Sequence, residues 1–404
     1  MTKPFERTVF VLTLGLTASL LAAGSGIAGD NPRMARVFDN LQVIDFSVPK
    51  QTGESAPLAE RMAFYKIPGV SVAVIDNFAI EWEKGVGYLK ADDTTRVDET
   101  SVFQTGSVSK FVTAVLVLHF VEKGMLDLDA DVNRYLTSWK IPENEFTKDK
   151  KVTLRYLLSH QSGIPAQPQL EDSASVLQIL SGEKPAKNPP AVPETVPGSQ
   201  WNYSNIGYVV IQQVLEDVTG KPIDRLAAEV IFRPLGMKSS YFSYPLPENA
   251  RRREAMPHAT DGSPRTPEQF GRARTPGGLL STPHDMATLV VEVMNAYLGK
   301  SDRVISPQTA RLMMTKQIDV PPSAMGLPLG NGLGVFIDAT TEEMCFLHPG
   351  HNSPGSAFVF IAYPALGKGA VIAVNGNLGD NLFLEILASL AVEYEWPRGQ
   401  PFKR

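Results

Sequence analysis

Ser107-Val108-Ser109-Lys110 sets a hydroxyl and an amine three residues apart. On a helix, positions i and i+3 share a face, so the lysine can touch the serine. A serine alcohol is a poor nucleophile at neutral pH until a neighbour takes its proton. A lysine starved of water, its charged form disfavoured, can be that neighbour. The chemistry this pair suggests is attack of Ser107 on a carbonyl. The same spacing recurs at Ser47…Lys50 and Ser181…Lys184, so context must separate them. The first contains Pro49 and leads directly into no long apolar helix, and the second runs into Pro185 and a proline-rich stretch. Only Ser107 follows an apolar approach, Val102-Phe103, and opens a sustained apolar run. That places it at a helix N-terminus, where backbone N–H groups favour negative charge. The competing structural reading is an N-cap serine beside a surface lysine.

Tyr203-Ser204-Asn205 closes an irregular Pro- and Gly-containing loop just before a helical pattern from Ile206. A phenol held near cations has its pKa lowered, and it can then receive the serine proton and return it to a leaving group. The Asn205 amide can hold Lys110 or a substrate carbonyl in place. Equally, Ser204 or Asn205 can be an N-cap and Tyr203 a packed aromatic. A third element, Phe346-Leu347-His348-Pro349-Gly350-His351-Asn352, enters a strand that begins near Ala357. Glycine lets a ligand approach the backbone, and a strand edge at a cleft can supply one N–H of an oxyanion hole with the N–H of Ser107 as the other. The paired histidines invite a metal reading, but no carboxylate or His-x-x-x-His spacing completes one, and His119, His160, His258 and His284 are scattered. The expectation is chemistry without metal or cofactor.

The elements that must hold these residues follow from periodicity. Val70 to Ile75, the turn residues Asp76-Asn77, and Ile80 to Tyr88 read as a hairpin. Short apolar strands return at Gly334 to Ile337, Ala357 to Tyr363 and Ala370 to Val374, and Leu382 to Tyr394 has helical spacing. Between these ends Phe111 to Val121, Leu154 to Ser159 and Ile206 to Val218 are helical, while Lys184 to Gly198 is too rich in proline for regular structure and reads as a surface excursion. The expected fold is α+β, an α/β sandwich: an antiparallel sheet built from both chain ends and flanked by helices, with an inserted all-helical lobe and a cleft between. In residues, the α/β lobe is expected over 36–106 and 305–404 and the helical lobe over 107–304, forming one catalytic domain over 29–404.

Composition narrows the partners. With 43% apolar residues and 20% charge over 404 residues, the chain can bury a large core. A net charge of -5, with Arg251-Arg252-Arg253 as the one dense basic run, argues against nucleic acid. Lys3 and Arg7 precede an uncharged run from Val9 to Ala23, followed by small residues through Ala28. At about fifteen residues the run is shorter than the roughly twenty that span a bilayer, so 1–28 reads as a secretory signal removed near Ala28. The expectation is an exported protein, periplasmic or secreted, with no stable membrane span. The single cysteine, Cys345, can form no internal disulfide and reads as a buried small apolar residue.

In this order, Ser-x-x-Lys, Tyr-x-Asn and His-x-Gly resemble the serine β-lactamase and penicillin-binding-protein superfamily, closest to its class C-like esterase and peptidase branch. Phe103 to Lys110, Leu126-Asp127-Leu128-Asp129, Leu157 to Gly163, Pro234-Leu235-Gly236-Met237 and Gly277 to Thr282 also look like that branch. The likeness runs from about Pro68 to Trp396. It implies Ser107 as nucleophile, Lys110 and Tyr203 as the proton-transfer pair, Asn205, His348 and Gly350 as positioning groups, and the backbone N–H groups of Ser107 and His351 as oxyanion donors. The chain departs from true β-lactamases at His348, where those enzymes usually carry a lysine that helps bind the drug's carboxylate. A neutral imidazole is a poorer anion anchor. The implied activity is hydrolysis of a small-molecule or peptide ester or amide, D-peptides and β-lactams among them, through a Ser107 acyl-enzyme. The alternative is a penicillin-binding or peptidoglycan-sensing module that acylates and turns over poorly.

Overall fold

The computed structural model describes residues 31–47, 50–166, 173–267, 271–340 and 342–397. The expected signal segment, 1–28, lies outside the described residues. An early hairpin pairs β1 (Leu41–Asp45) with β2 (Lys50–Ala56). The main sheet has eight antiparallel strands. They are β3 (Gly69–Asp76), β4 (Ala79–Gly87), β7 (Ile318–Asp319), β8 (Gly330–Asn331), β9 (Phe336–Asp338), β10 (Cys345–Asn352), β11 (Ser356–Tyr363) and β12 (Lys368–Val374), in the order β4-β3-β12-β11-β10-β9-β8-β7. The late strand β12 lies between β11 and the early strand β3, with Val371 opposite Ala73 and Ile372 opposite Val72. A two-stranded ladder, β5 (Phe103–Gln104) with β6 (Leu280–Ser281), joins the approach to Ser107 to the far end of the helical region.

The central strands β3, β11 and β12 read as nearly unbroken apolar runs because both faces of the sheet are covered there. Ala73, Ile75, Phe358, Phe360, Val371 and Ala373 face the helical lobe. Val72, Val74, Val359, Ile372 and Val374 alternate to the other face, under the helices Pro32–Asp39, Leu58–Tyr65 and Gly379–Glu393. On the inner side, Ser109–Glu122 is apolar around its circumference and buried almost throughout, as a central helix must be. Asn205–Thr219 starts on the side chain of Ser204, which accepts from the Gly207 N–H, and stops at Gly220 in the left-handed region.

One sequence expectation changes. Helix Pro283–Tyr297, inside the 107–304 span given to the helical lobe, rests on β3, β4 and β12, with Leu289, Val290 and Val293 in one core with Ala73 and Val371. The segment Lys184 to Gly198 lacks regular structure and runs along the surface as expected, but it is anchored by the buried Ala186, Asn188 and Ala191. Among the described residues no helix is long and apolar enough to cross a membrane.

A buried ion pair ties the outer layer together. Arg61 meets Glu385 through two 2.8 Å contacts, Tyr65 donates to the same carboxylate at 2.9 Å, and the Ile44 N–H does so at 3.2 Å. Burial first, and the carboxylate second, push the Tyr65 phenol up to about 12. Removing one member of such a pair strands the other charge. Glu385→Ala is therefore expected to cost about 3–5 kcal/mol of unfolding free energy, read as a lower urea midpoint.

Candidate active site

Ser107 sits in a single 3₁₀ turn, Gly106–Val108, that feeds the helix Ser109–Glu122. The turn is held from beneath: the Ser109 hydroxyl donates to Gly106 O at 2.6 Å and accepts from the Leu279 N–H at 3.0 Å. This leaves Ser107 partly exposed while Lys110 is fully buried. The Lys110 Nζ reaches Ser107 Oγ at 3.0 Å, Asn205 Oδ1 at 2.9 Å and Pro276 O at 2.6 Å. Three oxygens thus fix the amine against the serine. Burial holds the Lys110 pKa well below its ordinary value, which disfavours the charged form and favours the neutral amine, whose lone pair can accept the serine proton.

Tyr203 comes in from the loop before Asn205–Thr219. Its hydroxyl hydrogen-bonds Ser107, and Lys110 Nζ lies 4.8 Å from its ring centroid. The lowered phenol pKa expected from nearby cations is corrected by the structure. Burial raises the Tyr203 pKa, and the Ser107 hydrogen bond offsets only part of that rise. Burial also disfavours the charged form of the cation that was to lower it. Tyr203 is therefore a proton donor before it is an acceptor.

The segment Phe346 to Asn352, expected to lie ahead of a strand, is itself strand β10. It pairs with β11 along its whole length but with β9 only at Cys345 to Leu347, so its second half is an open edge toward Ser107. Backbones meet closely there. A Cβ on Gly350 would stand 2.1 Å from Thr105 O and 2.9 Å from Ser107 N, and one on Gly106 would stand 2.6 Å from His351 N. Only glycine allows this approach. The backbone N–H of Ser107 and that of His351 are thereby brought to one seam. Pro349 falls in register with His351, whose nitrogen lies toward the seam and away from β11, so the donor that proline lacks would have pointed to the open edge and no ladder bond is lost.

His348 is buried, its Nδ1 is 2.7 Å from Pro349 O, and its ring is 5.0 Å from that of Phe336. Burial, then the nearness of Lys110, depress its pKa to about 3, which leaves a neutral imidazole at neutral pH. All the residues singled out by sequence, Ser107, Lys110, Tyr203, Asn205, His348, Gly350 and His351, lie around this one junction. Of the other two Ser-x-x-Lys spacings, Ser47 is exposed, Ser181 ends the short helix Val176–Ser181 and Lys184 is exposed.

Two groups had no role assigned from sequence. His160 lies with its ring 4.2 Å from that of Tyr203, accepts from the Ser204 N–H at Nδ1, and is pushed well down in pKa by burial. Trp201, 6.1 Å from Tyr203, donates from its indole to Asn331 at 2.8 Å. Both flank Tyr203 in space or sequence, yet a lone buried histidine or tryptophan carries no periodic signal. Among the described residues no group of three His, Cys, Asp or Glu side chains is placed to hold a metal.

The chain is similar to several known proteins. The chain is 28% identical over 343 residues to penicillin-binding protein 4 of Amycolatopsis lactamdurans, covering 81% of this chain and 86% of that one. It is 22% identical over 324 residues to protein flp of Staphylococcus aureus strain MRSA252, covering 77% of this chain but 60% of that relative's length. It thus spans well short of the whole of that larger protein. In fold it is similar to the octameric penicillin-binding protein homologue from Pyrococcus abyssi, with a TM-score of 0.69 and 24% identity over 84% of this chain and 76% of that one. It is likewise similar to a penicillin-binding protein from Bacillus halodurans, with a TM-score of 0.65 and 20% identity over 82% and 98% of the two chains. The family model for Beta-lactamase matches residues 56–392, so the chain belongs to the Beta-lactamase family.

Proposed function

We propose that the protein is an exported hydrolase of neutral esters or amides that works through an acyl-enzyme on Ser107. The observation that carries this reading is the 3.0 Å contact between the Ser107 hydroxyl and the fully buried Lys110 amine, whose charged form burial disfavours. Lys110 takes the hydroxyl proton as Oγ bonds to the substrate carbonyl carbon, and the developing oxyanion lies at the backbone N–H groups of Ser107 and His351. Tyr203 donates its phenolic proton to the leaving oxygen or nitrogen as the scissile bond breaks, and the proton that Lys110 took from Ser107 passes from Nζ to the phenolate, with the acylated Ser107 oxygen outside the relay. Water then adds to the acyl carbon, giving a proton to the same pair, and the acid departs with Ser107 restored.

Neutral His348 supports an uncharged substrate, because it offers no cation to a carboxylate at the third motif. Trp201 and Tyr203 pack against the buried apolar cluster Val320, Leu329 and Phe336, and this apolar flank favours a hydrophobic substituent. Export rests on the sequence of 1–28. The purified mature chain is expected to hydrolyse p-nitrophenyl esters faster than a D-aminoacyl amide or nitrocefin. A persistent adduct with fluorescent penicillin and no ester turnover would instead give it to the poorly turning-over binding module.

Tyr203→Phe keeps the ring and removes the proton donor. It is expected to lower kcat for an amide substrate by roughly 10²–10⁴-fold. A p-nitrophenyl ester should suffer less, since its leaving group departs without protonation. Equal losses on both substrates would show that Tyr203 only packs.

A further inference from the structure

β10 has two faces. Phe346 packs with Phe111 at 6.2 Å and Asn352 donates to Gln104, both on the Ser107 side. Leu347, Pro349 and His351 alternate to the opposite face and line a cavity of about 550 Å³ between β10–β11 and the helix Gly379–Glu393. That is the size of a small-molecule site. Its middle is walled by Val359, Ile361, Phe383, Leu384 and Leu387, and Trp396, 3% exposed, stands at a buried end. The carboxyl and imidazole groups in the lining are Asp338, which is buried, and His351 and Asp380, which are in contact at 3.0 Å with side chains 34% and 46% exposed and so stand at the mouth. Neither lysine nor arginine is among the lining residues.

We propose that this cavity binds a single medium-length aliphatic chain with an uncharged, hydroxyl-bearing head group. The tail lies on the Leu384 and Leu387 face of the helix. The head sits at the mouth, where the Asp380 carboxylate accepts from its hydroxyls and repels an anionic head. The inference does not depend on Ser107 chemistry, and the test probe contains no ester that Ser107 can cleave.

The probe is 1-O-decylglycerol below its aggregation threshold, titrated calorimetrically into the full chain, with decanoate alongside. Expected is one saturable site for the ether, weakened at least about tenfold in Leu387→Trp, which fills the cavity, and binding of decanoate at least about tenfold weaker. Leu384→Trp serves the same purpose should the first variant lack the wild-type circular dichroism spectrum. Absence of saturable binding, or unchanged affinity in a folded variant, overturns the proposal. So does a wild-type dimer in sedimentation velocity that Leu387→Trp dissociates, since that gives the face to a second copy.

Discussion

Ser107→Ala is expected to lower kcat/KM on a chromogenic short-chain ester by on the order of 10⁴–10⁶-fold and to abolish labelling by an active-site serine probe. The loss is large because Lys110, Tyr203 and the Ser107–His351 seam all act on one oxygen. Without it they have nothing to activate, which is why units of this kind are grossly non-additive. Stability should barely move, as Ser107 is partly exposed and its turn is held by Ser109. Stopped-flow or overnight assays of both proteins at equal concentration decide the matter, and equal rates would refute the acyl-enzyme reading.

Lys110→Met keeps the volume and removes the lone pair. Turnover is expected to fall by roughly 10³-fold or more, because the serine proton has no other acceptor. In the wild type, kcat/KM should rise with pH through the depressed pKa of Lys110, since the protonated amine cannot act as base. It should then stay level through the ordinary phenol range, because the Tyr203 pKa is raised. Stability carries the same signature. Between the low pKa of folded Lys110 and its ordinary value when unfolded, the unfolded chain binds more protons, so folding strengthens with rising pH. The unfolding free energy of wild type should therefore gain on that of Lys110→Met as pH climbs toward the usual lysine range. Parallel urea titrations at several pH values measure the difference, and a pH-independent gap would mean that Lys110 is charged in the folded chain.

Much of this was legible in residues alone. The hairpin β3–β4 and the helices after Ser107 and before Gly220 followed from period and turn chemistry, the Ser107–Lys110 pair from spacing, and the convergence of Tyr203 and Asn205 on that pair from the family resemblance. Strand β10 did not, because Pro349 and Gly350 are strand breakers by composition, and only an unpaired edge makes them acceptable. The direction of the Tyr203 shift was misread for a related reason: burial is a three-dimensional quantity, and a string of residues shows that Lys110 is near without showing that it is dry. His160 and Trp201 were invisible as site residues because neither spacing nor periodicity marks a side chain that acts by contact with Tyr203.

The placement of β12 between β3 and β11 has a consequence for biogenesis. A ribosome delivers Ser107 and its helix long before β10, β11 and β12 emerge, and until β12 arrives β3 lacks its inner neighbour. Pairing across such a sequence distance is slow and comes late. The nascent chain therefore carries a hydroxyl with no completed seam opposite it, and a synthesis product broken off before about residue 350 should be inert toward any carbonyl, a built-in safeguard against premature reactivity.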